Sequence, residues 1–287
     1  MHCATYLDAE VPILLSVDSL SKCDPDQLSV HHINALLGLP AAIQVIPALQ
    51  EKVNAVCTEW LQHTFGDAAR LLVNQQLQDK LYSLELPAIQ LFVSCTSPKL
   101  GRAGVVGALL LWCTHPAHFA SLGPEVFMLF SAADAAHMLS MPHPGAHDVC
   151  VKWLLNTYGD VQMMVEQQGL MFLRFLLLPS EAVSLWAEQD GLRVRHSENE
   201  VAVLLELYAV KAKLSVEQSK HLGSLLRISS MTYSFRHFVL PKLSLMKPLD
   251  YLLAHFNYVL DAGGTNELNT CAAELPSAWM GSRQVLP

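Results

Sequence analysis

The sequence predicts an all-α protein built from two tandem helical units of α-solenoid-like character. Three observations predict it. Twelve residues are written twice, as VCTEWLQHTFGD from Val56 and as VCVKWLLNTYGD from Val149, with seven of the twelve positions identical. Apolar residues in and around both copies recur at helical spacing. Strand signals are sparse, with few β-branched alternations and no Asn-Gly or Asp-Gly hairpin between strand-like runs.

The elements follow in order. Residues 1–35 are an N-terminal segment, and the first unit spans residues 36–120. There Val53, Val56, Cys57, Trp60 and Leu61 fall at i, i+3, i+4, i+7 and i+8, one stripe of a helix. Gly66 ends it, in the left-handed conformation that a glycine adopts without a Cβ penalty. Asp67 then suits the N-cap of the next helix. Leu84–Phe92 reads as a short helix entered at Pro87, with Ala88, Ile89 and Phe92 as its stripe. The run VVGALLLW ending at Trp112 is a further helix, whose start Gly101, Gly104 and Gly107 weaken by about 1 kcal/mol each if interior.

The second unit spans residues 121–247 and repeats this order. Ala146, Val149, Cys150, Trp153 and Leu154 copy the stripe at an offset of 93 (56 to 149), and Gly159–Asp160 copies the stop. Leu178–Trp186 answers Leu84–Phe92, with Pro179 at its entry. After the turn at Asp190–Gly191, Ser197 and Glu200 form a capping box before Val201, Leu204, Leu205 and Tyr208. Ser215 and Gln218 form another, opening a helix through Leu222, Leu225 and Leu226. A last helical stretch, Phe235–Leu240, stops at Pro241. The units join near Ser121–Pro144. Residues 248–287 are a C-terminal tail containing Gly263–Gly264 and Pro276, which is flexible or packs back through Trp279. Trp60, Trp112, Trp153 and Trp186 stand at matched places and read as core.

The totals restrict the class. The chain of 287 residues is 52% hydrophobic and 15% charged, against a usual charged share of about 25%, which fits a core-rich protein. Its net charge is −8. Arg236, Lys242 and Lys247 are too few to make a basic stripe, so no nucleic-acid partner is expected. The longest apolar run, Ala103–Cys113, falls short of the ~20 residues a membrane span needs. Leu170–Leu178 is interrupted by Arg174, so no membrane partner is expected either. Asp8 and Glu10 occupy the place of a basic signal-peptide start. The seven cysteines, Cys3, Cys23, Cys57, Cys95, Cys113, Cys150 and Cys271, are odd in number and form no CxxC pair. They do not read as a disulfide framework, and a reducing location, cytoplasmic or nuclear, follows. Cys57 and Cys150 read as small buried hydrophobes.

The stretch LPSEAVSLWAEQDGLRVRHSENEVAVLLELYAV resembles the BACK domain, the all-helical module of BTB/POZ–BACK proteins of the Kelch-like type. Leu178, Pro179, Ala182, Val183, Leu192, Val194, Ser197, Glu198, Asn199 and Val201 match its pattern. Cys150, Trp153, Tyr158, Gly159 and Asp160 resemble its opening segment, and LGSLLRISSMTYSFRHFVLPKL resembles its end. The likeness covers Phe127–Lys247 well, making residues 121–247 the BACK domain. It covers Leu36–Cys113 loosely, as a degenerate BACK-like unit. Residues 1–35 stand where the last helices of a BTB domain would, without a recognisable complete one. The resemblance implies a non-enzymatic protein–protein interaction module, a substrate adaptor that joins a cullin scaffold of a RING ubiquitin ligase to an unknown substrate. The alternative is a stand-alone α-helical scaffold that binds a protein partner with no cullin link. The sequence fixes neither partner nor oligomeric state.

Residues with chemical potential were weighed singly. His143 with His147 and His115 with His118 have chelating spacings on a helix, but Pro142, Pro144 and Pro116 break it there, so no metal site is expected. Gly101, Gly104 and Gly107 match neither the P-loop nor the dinucleotide pattern. Glu198 and Glu200 read as favouring a helix N-terminus, with Glu200 in the capping box, and not as a catalytic pair. No hydrolase, metalloprotease or kinase signature occurs. The sequence therefore predicts no catalytic residue, no cofactor and no metal.

Overall fold

A computed structural model of the chain describes residues 16–39, 47–94, 101–167, 169–194, 197–261 and 275–281. Among these residues every regular element is a helix, and the β-type pairing is an isolated bridge between Asp160 and Arg193. The fold is all-α, as the spacing of the apolar residues predicts. Cys3, Cys95, Cys271, Asp8, Glu10 and Gly263–Gly264 lie outside the described residues.

The described chain clusters into two compact units. One draws on residues up to Phe130 and on Met141–Ala146, and the other on Ser131–Ser140 and the residues from His147 onward. The first unit contains α1 (Val30–Leu37), α2 (Pro47–Phe65), α3 (Ala68–Val73), α4 (Gln75–Tyr82), α5 (Leu86–Ser94), α6 (Gly101–Thr114), α7 (Pro116–Phe119) and α8 (Pro124–Phe127). The second contains α9 (Ala135–Ser140), α10 (Ala146–Tyr158), α11 (Val161–Gln167), α12 (Leu170–Phe175), α13 (Ser180–Glu188), α14 (Asn199–Ala212), α15 (Val216–Ser224), α16 (Tyr233–Phe238) and α17 (Asp250–Asp261).

The repeated words build the same core twice. Val53, Val56, Cys57, Trp60 and Leu61 are buried on α2, and Ala146, Val149, Cys150, Trp153 and Leu154 on α10. Trp60 meets Phe65 edge-on at 5.7 Å and 84°, and Trp153 meets Tyr158 at 5.7 Å and 82°. Asp67 Oδ1 accepts the Arg70 N–H at 3.1 Å, and Asp160 Oδ1 accepts the Met163 N–H at 2.9 Å. Both act as N-caps. Ala88, Ile89 and Phe92 are buried on α5, as are Ala182, Val183 and Trp186 on α13. The polar tips of the aromatics also agree. Trp112 Nε1–H donates to Leu84 O, and Tyr208 O–H to Leu178 O, each at 2.9 Å.

Four readings need correction. Gly66 and Gly159 are not left-handed, since the positive-φ glycine among the described residues is Gly101. Their requirement is steric. A Cβ on Gly66 would lie 2.1 Å from Gln62 O, and one on Gly159 2.1 Å from Leu155 O. The Ser197–Glu200 box is not what starts α14. Its N-cap is Glu198, without a side-chain cap bond, and Ser197 Oγ accepts the Asn199 N–H at 3.3 Å. The last predicted helix runs Tyr233–Phe238, capped by Thr232, and Pro241 sits in a separate 3-10 turn, Leu240–Lys242. The tail is partly structured. Ser244–Leu249 is a 3-10 stretch leading into α17, and Trp279 is fully buried with its Nε1–H on Gly223 O at 3.2 Å. The Ser215–Gln218 box forms as predicted.

Candidate protein-interaction surface

The acidic pair that resembles the BACK motif is drawn into the core instead of serving a helix end. Glu198 is buried, and its Oε1 accepts the backbone N–H of Arg227 at 3.2 Å. The Arg227 guanidinium is buried too. It donates to Ala187 O and Glu188 O at the end of α13, at 3.5 and 3.2 Å, and pairs with the Asp190 carboxylate. A cation suits the partial negative charge of a helix C-terminus. Asn199 exchanges two bonds with Thr232, Nδ2–H to Oγ1 at 3.1 Å and Thr232 N–H to Oδ1 at 3.2 Å. Glu206 receives the N–H groups of Ser244 and Leu245 at 2.9 and 3.1 Å. Local spacing gave no signal for these long-range connections, beyond an acidic residue set in the apolar run VAVLLELY.

The histidine spacings lead elsewhere than to a metal. His118 Nε2–H donates to Tyr82 O at 2.9 Å, and its ring lies against Trp112 at 4.1 Å. His115 stacks on Tyr82 at 4.7 Å. Burial, with the neighbouring His115 adding to it, holds the His118 pKa below the ordinary imidazole value. His143 Nδ1 accepts the Gly145 N–H at 3.3 Å, while His147 is exposed beside Asp148. Among the described residues no group of three or more His, Cys, Asp or Glu is placed to hold a metal ion. Cys57 is buried and inert to solvent. Burial raises the Cys113 thiol and pushes that of Cys150 up to about 12. Gly101, Gly104 and Gly107 lie within α6.

The second unit instead exposes apolar residues that a core should have taken. On and just beyond α12, Leu170, Leu173 and Leu177 are 63%, 55% and 69% exposed, while Phe172, Phe175 and Leu178 face inward. The Tyr208 O–H bond to Leu178 O brings α14 against the end of this stripe, and Leu207 and Val210 are exposed on α14. Contiguous exposed apolar residues of this kind mark interaction sites.

A second cluster lies between α16 and α17. A cavity of about 560 Å³ is lined by His237, Pro241, Ala254, Asn257, Tyr258 and Asp261. Arg236, 7% exposed, reaches Asp261 Oδ1 with Nη2 at 3.3 Å, but its Nε and Nη1 have no hydrogen-bond partner among the described residues. Asn257 is equally buried, and its Oδ1 is likewise unpartnered. His237 Nε2 lies 2.7 Å from Asp261 Oδ2, close yet out of line for a hydrogen bond. Leaving a buried polar atom unmet costs about 1–3 kcal/mol.

No helix among the described residues is long and apolar enough to cross a membrane. Comparison of the chain with protein-family models, with curated proteins and with solved structures finds no match in any of the three.

Proposed function

We propose that this chain is a non-enzymatic protein-interaction module of BTB–BACK type, with the leucine face around α12 as its docking surface. One observation carries the reading, and it is internal to the chain. The two units align here at an offset of 94 (84 to 178), which sets the buried Leu81 against the buried Phe175. In that register Leu170, Leu173 and Leu177 stand where the first unit has Gln76, Asp79 and Ser83, all exposed. The position is solvent-facing in both units, yet it is polar in one and apolar in the other. Folding alone supplies no reason for leucine there, because the sibling unit manages without it. Exposed leucines kept in a row are accounted for by a partner that covers them.

The adaptor role in cullin-RING ubiquitin ligation is the specific form of this proposal, and it rests on the BACK resemblance. Titration of the chain into a cullin N-terminal domain by calorimetry at micromolar concentration tests it. The comparison is the triple variant Leu170→Gln, Leu173→Asp and Leu177→Ser, which borrows the first unit's own surface. Binding by the wild type and its loss in the variant, with an unchanged melt, supports a cullin-linked adaptor. No binding by the wild type removes the cullin link and leaves the stand-alone scaffold. A variant that melts far below the wild type would show that the leucines are structural, and the docking reading would fall.

A further inference from the structure

We infer that the cavity between α16 and α17 seats a side-chain carboxamide, Asn or Gln, presented by an extended segment of a partner protein. The inference rests on the protein-interaction reading but uses a different surface. Buried polar side chains in native proteins find partners in the large majority of cases. Here two donors, Arg236 Nε and Nη1, and one acceptor, Asn257 Oδ1, lack one in neighbouring residues that are each 7% exposed. Asn257 lines the cavity, as does Asp261, which holds the Arg236 guanidinium. The site therefore asks for an acceptor and a donor together. A carboxamide carries both on one planar group. Its C=O accepts from the guanidinium N–H, and its NH₂ donates to Asn257 Oδ1.

Charge favours this neutral occupant over an ionic one. Arg236 and Asp261 already face each other, with Nη2 to Oδ1 at 3.3 Å, and the other oxygen of Asp261 faces His237. An incoming carboxylate would meet Asp261, and an incoming ammonium would meet Arg236. Neither gains an unpaired opposite charge. The surroundings fit a flat group on a peptide. Tyr258, which lines the cavity, is 71% exposed, and Tyr233 and Phe238 are exposed on α16. Exposed tyrosines are the residue type that anchors protein interfaces, because they bury much area with little loss of freedom. Tyr233 is further fixed in place by the Arg236 guanidinium, 6.0 Å from its ring centre.

Panning a phage-displayed random peptide library against the immobilised full chain tests the inference. Enriched peptides should share an Asn or Gln at one position. Fluorescence polarisation with a labelled winner should show affinity falling on the order of tenfold or more when that residue is changed to Leu, the scale of one lost buried contact. The same fall is expected for the Tyr258→Ala and Asn257→Leu chains. Tyr258 is exposed, so its variant stays folded even if Asn257→Leu does not. Absence of enrichment, winners without a shared carboxamide, or equal binding by the Tyr258→Ala chain would overturn the inference. Winners that instead lose affinity for the Leu173→Asp chain would place the peptide site on the α12 face. That result would sink this inference and spare the proposed function, whereas failure of the α12 variant to affect cullin binding leaves the carboxamide site standing.

Discussion

Replacing Trp279 by alanine asks whether the C-terminal residues belong to the core or only rest on it. The indole is 0% exposed, meets Phe256 edge-on at 5.4 Å, and donates to Gly223 O at 3.2 Å. A buried aromatic of this size removes about 150–250 Å² from water. At about 25 cal/mol per Å² that is about 4–6 kcal/mol as an upper bound. Trp153 is buried to the same degree in the middle of α10, and Trp153→Ala should cost about 3–5 kcal/mol. The two tryptophans differ in connectivity. Trp153 cannot leave its site unless α10 unfolds. Trp279 lies in a short 3-10 turn, Ser277–Met280, whose other printed anchors are the Ser229 and Ser230 hydroxyls on Gly281 O at 3.2 and 2.9 Å. Without the indole that turn can detach while the rest stands, so the loss is capped at its docking free energy. Trp279→Ala should therefore cost about 1–3 kcal/mol, below Trp153→Ala, with a smaller m-value because less surface remains to be exposed. Urea unfolding followed by far-UV circular dichroism reads both quantities. A Trp279→Ala chain that matches Trp153→Ala in midpoint with an unaltered m-value would refute the reasoning, as would one that matches the wild type.

Three further outcomes follow from single contacts. Glu198→Ala should lower stability by about 2–3 kcal/mol, since the Arg227 N–H loses a charged acceptor in the core, while Glu198→Gln keeps an acceptor oxygen and should cost at most about 1 kcal/mol; equal urea midpoints for the two variants would contradict the role assigned to Oε1. Because the His118 pKa is depressed in the folded chain, the unfolded chain binds the proton more readily. Stability contributed by neutral His118 is thus full above about pH 6.5 and is lost as pH falls through the folded value, so the melting-temperature difference between pH 5 and pH 7.5 should shrink in His118→Gln, and an undiminished difference would assign the acid sensitivity elsewhere. Cys150, its thiol pushed up to about 12 by burial, should resist iodoacetamide at pH 8 in the native chain and react once urea unfolds it; peptide mapping that finds it alkylated natively would contradict the burial.

What the sequence made legible is whatever depends on neighbours one or two turns away. The stripes through Trp60 and Trp153 and the caps at Asp67, Asp160 and Ser215 all came through, because helical period and capping are local. Gly66 and Gly159 were read as special for the wrong reason. Two different constraints select glycine after a helix, a left-handed backbone or a carbonyl too close for a Cβ, and the letter alone does not separate them. Glu198 and Asn199 were misread because their partners, Arg227 and Thr232, lie 29 and 33 residues away, and a local rule assigns a nearby acid to the nearest helix end. The leucine face was visible in LMFLRFLLL as an apolar run with no polar side. It was weighed only for membrane length, where it fails. The cavity beside Asn257 had no sequence signal, since it joins residues from two helices and a 3-10 turn.

The duplication gives this chain an internal control. Features common to both units, such as the edge-on aromatic pair, the glycine stop, the aspartate cap and the aromatic bond to a leucine carbonyl, are those that a helical unit needs to fold. Features confined to the second unit ask for another explanation. The Glu198–Arg227 and Asn199–Thr232 connections and the Glu206 contacts tie α14 to the segments that carry α16 and the approach to α17. Buried charged and polar links are seldom the cheapest way to stabilise a core, since apolar packing of equal volume often does as well. What they add is a fixed geometry. A surface that must meet a partner loses less freedom on binding if its helices are already held in register. The rigid polar framework and the two surfaces with unmet needs, exposed leucines around α12 and unpaired hydrogen-bonding atoms at α16–α17, therefore occur in the same unit for one reason. The second copy is built to present a surface, and the first keeps the common frame with a polar exterior.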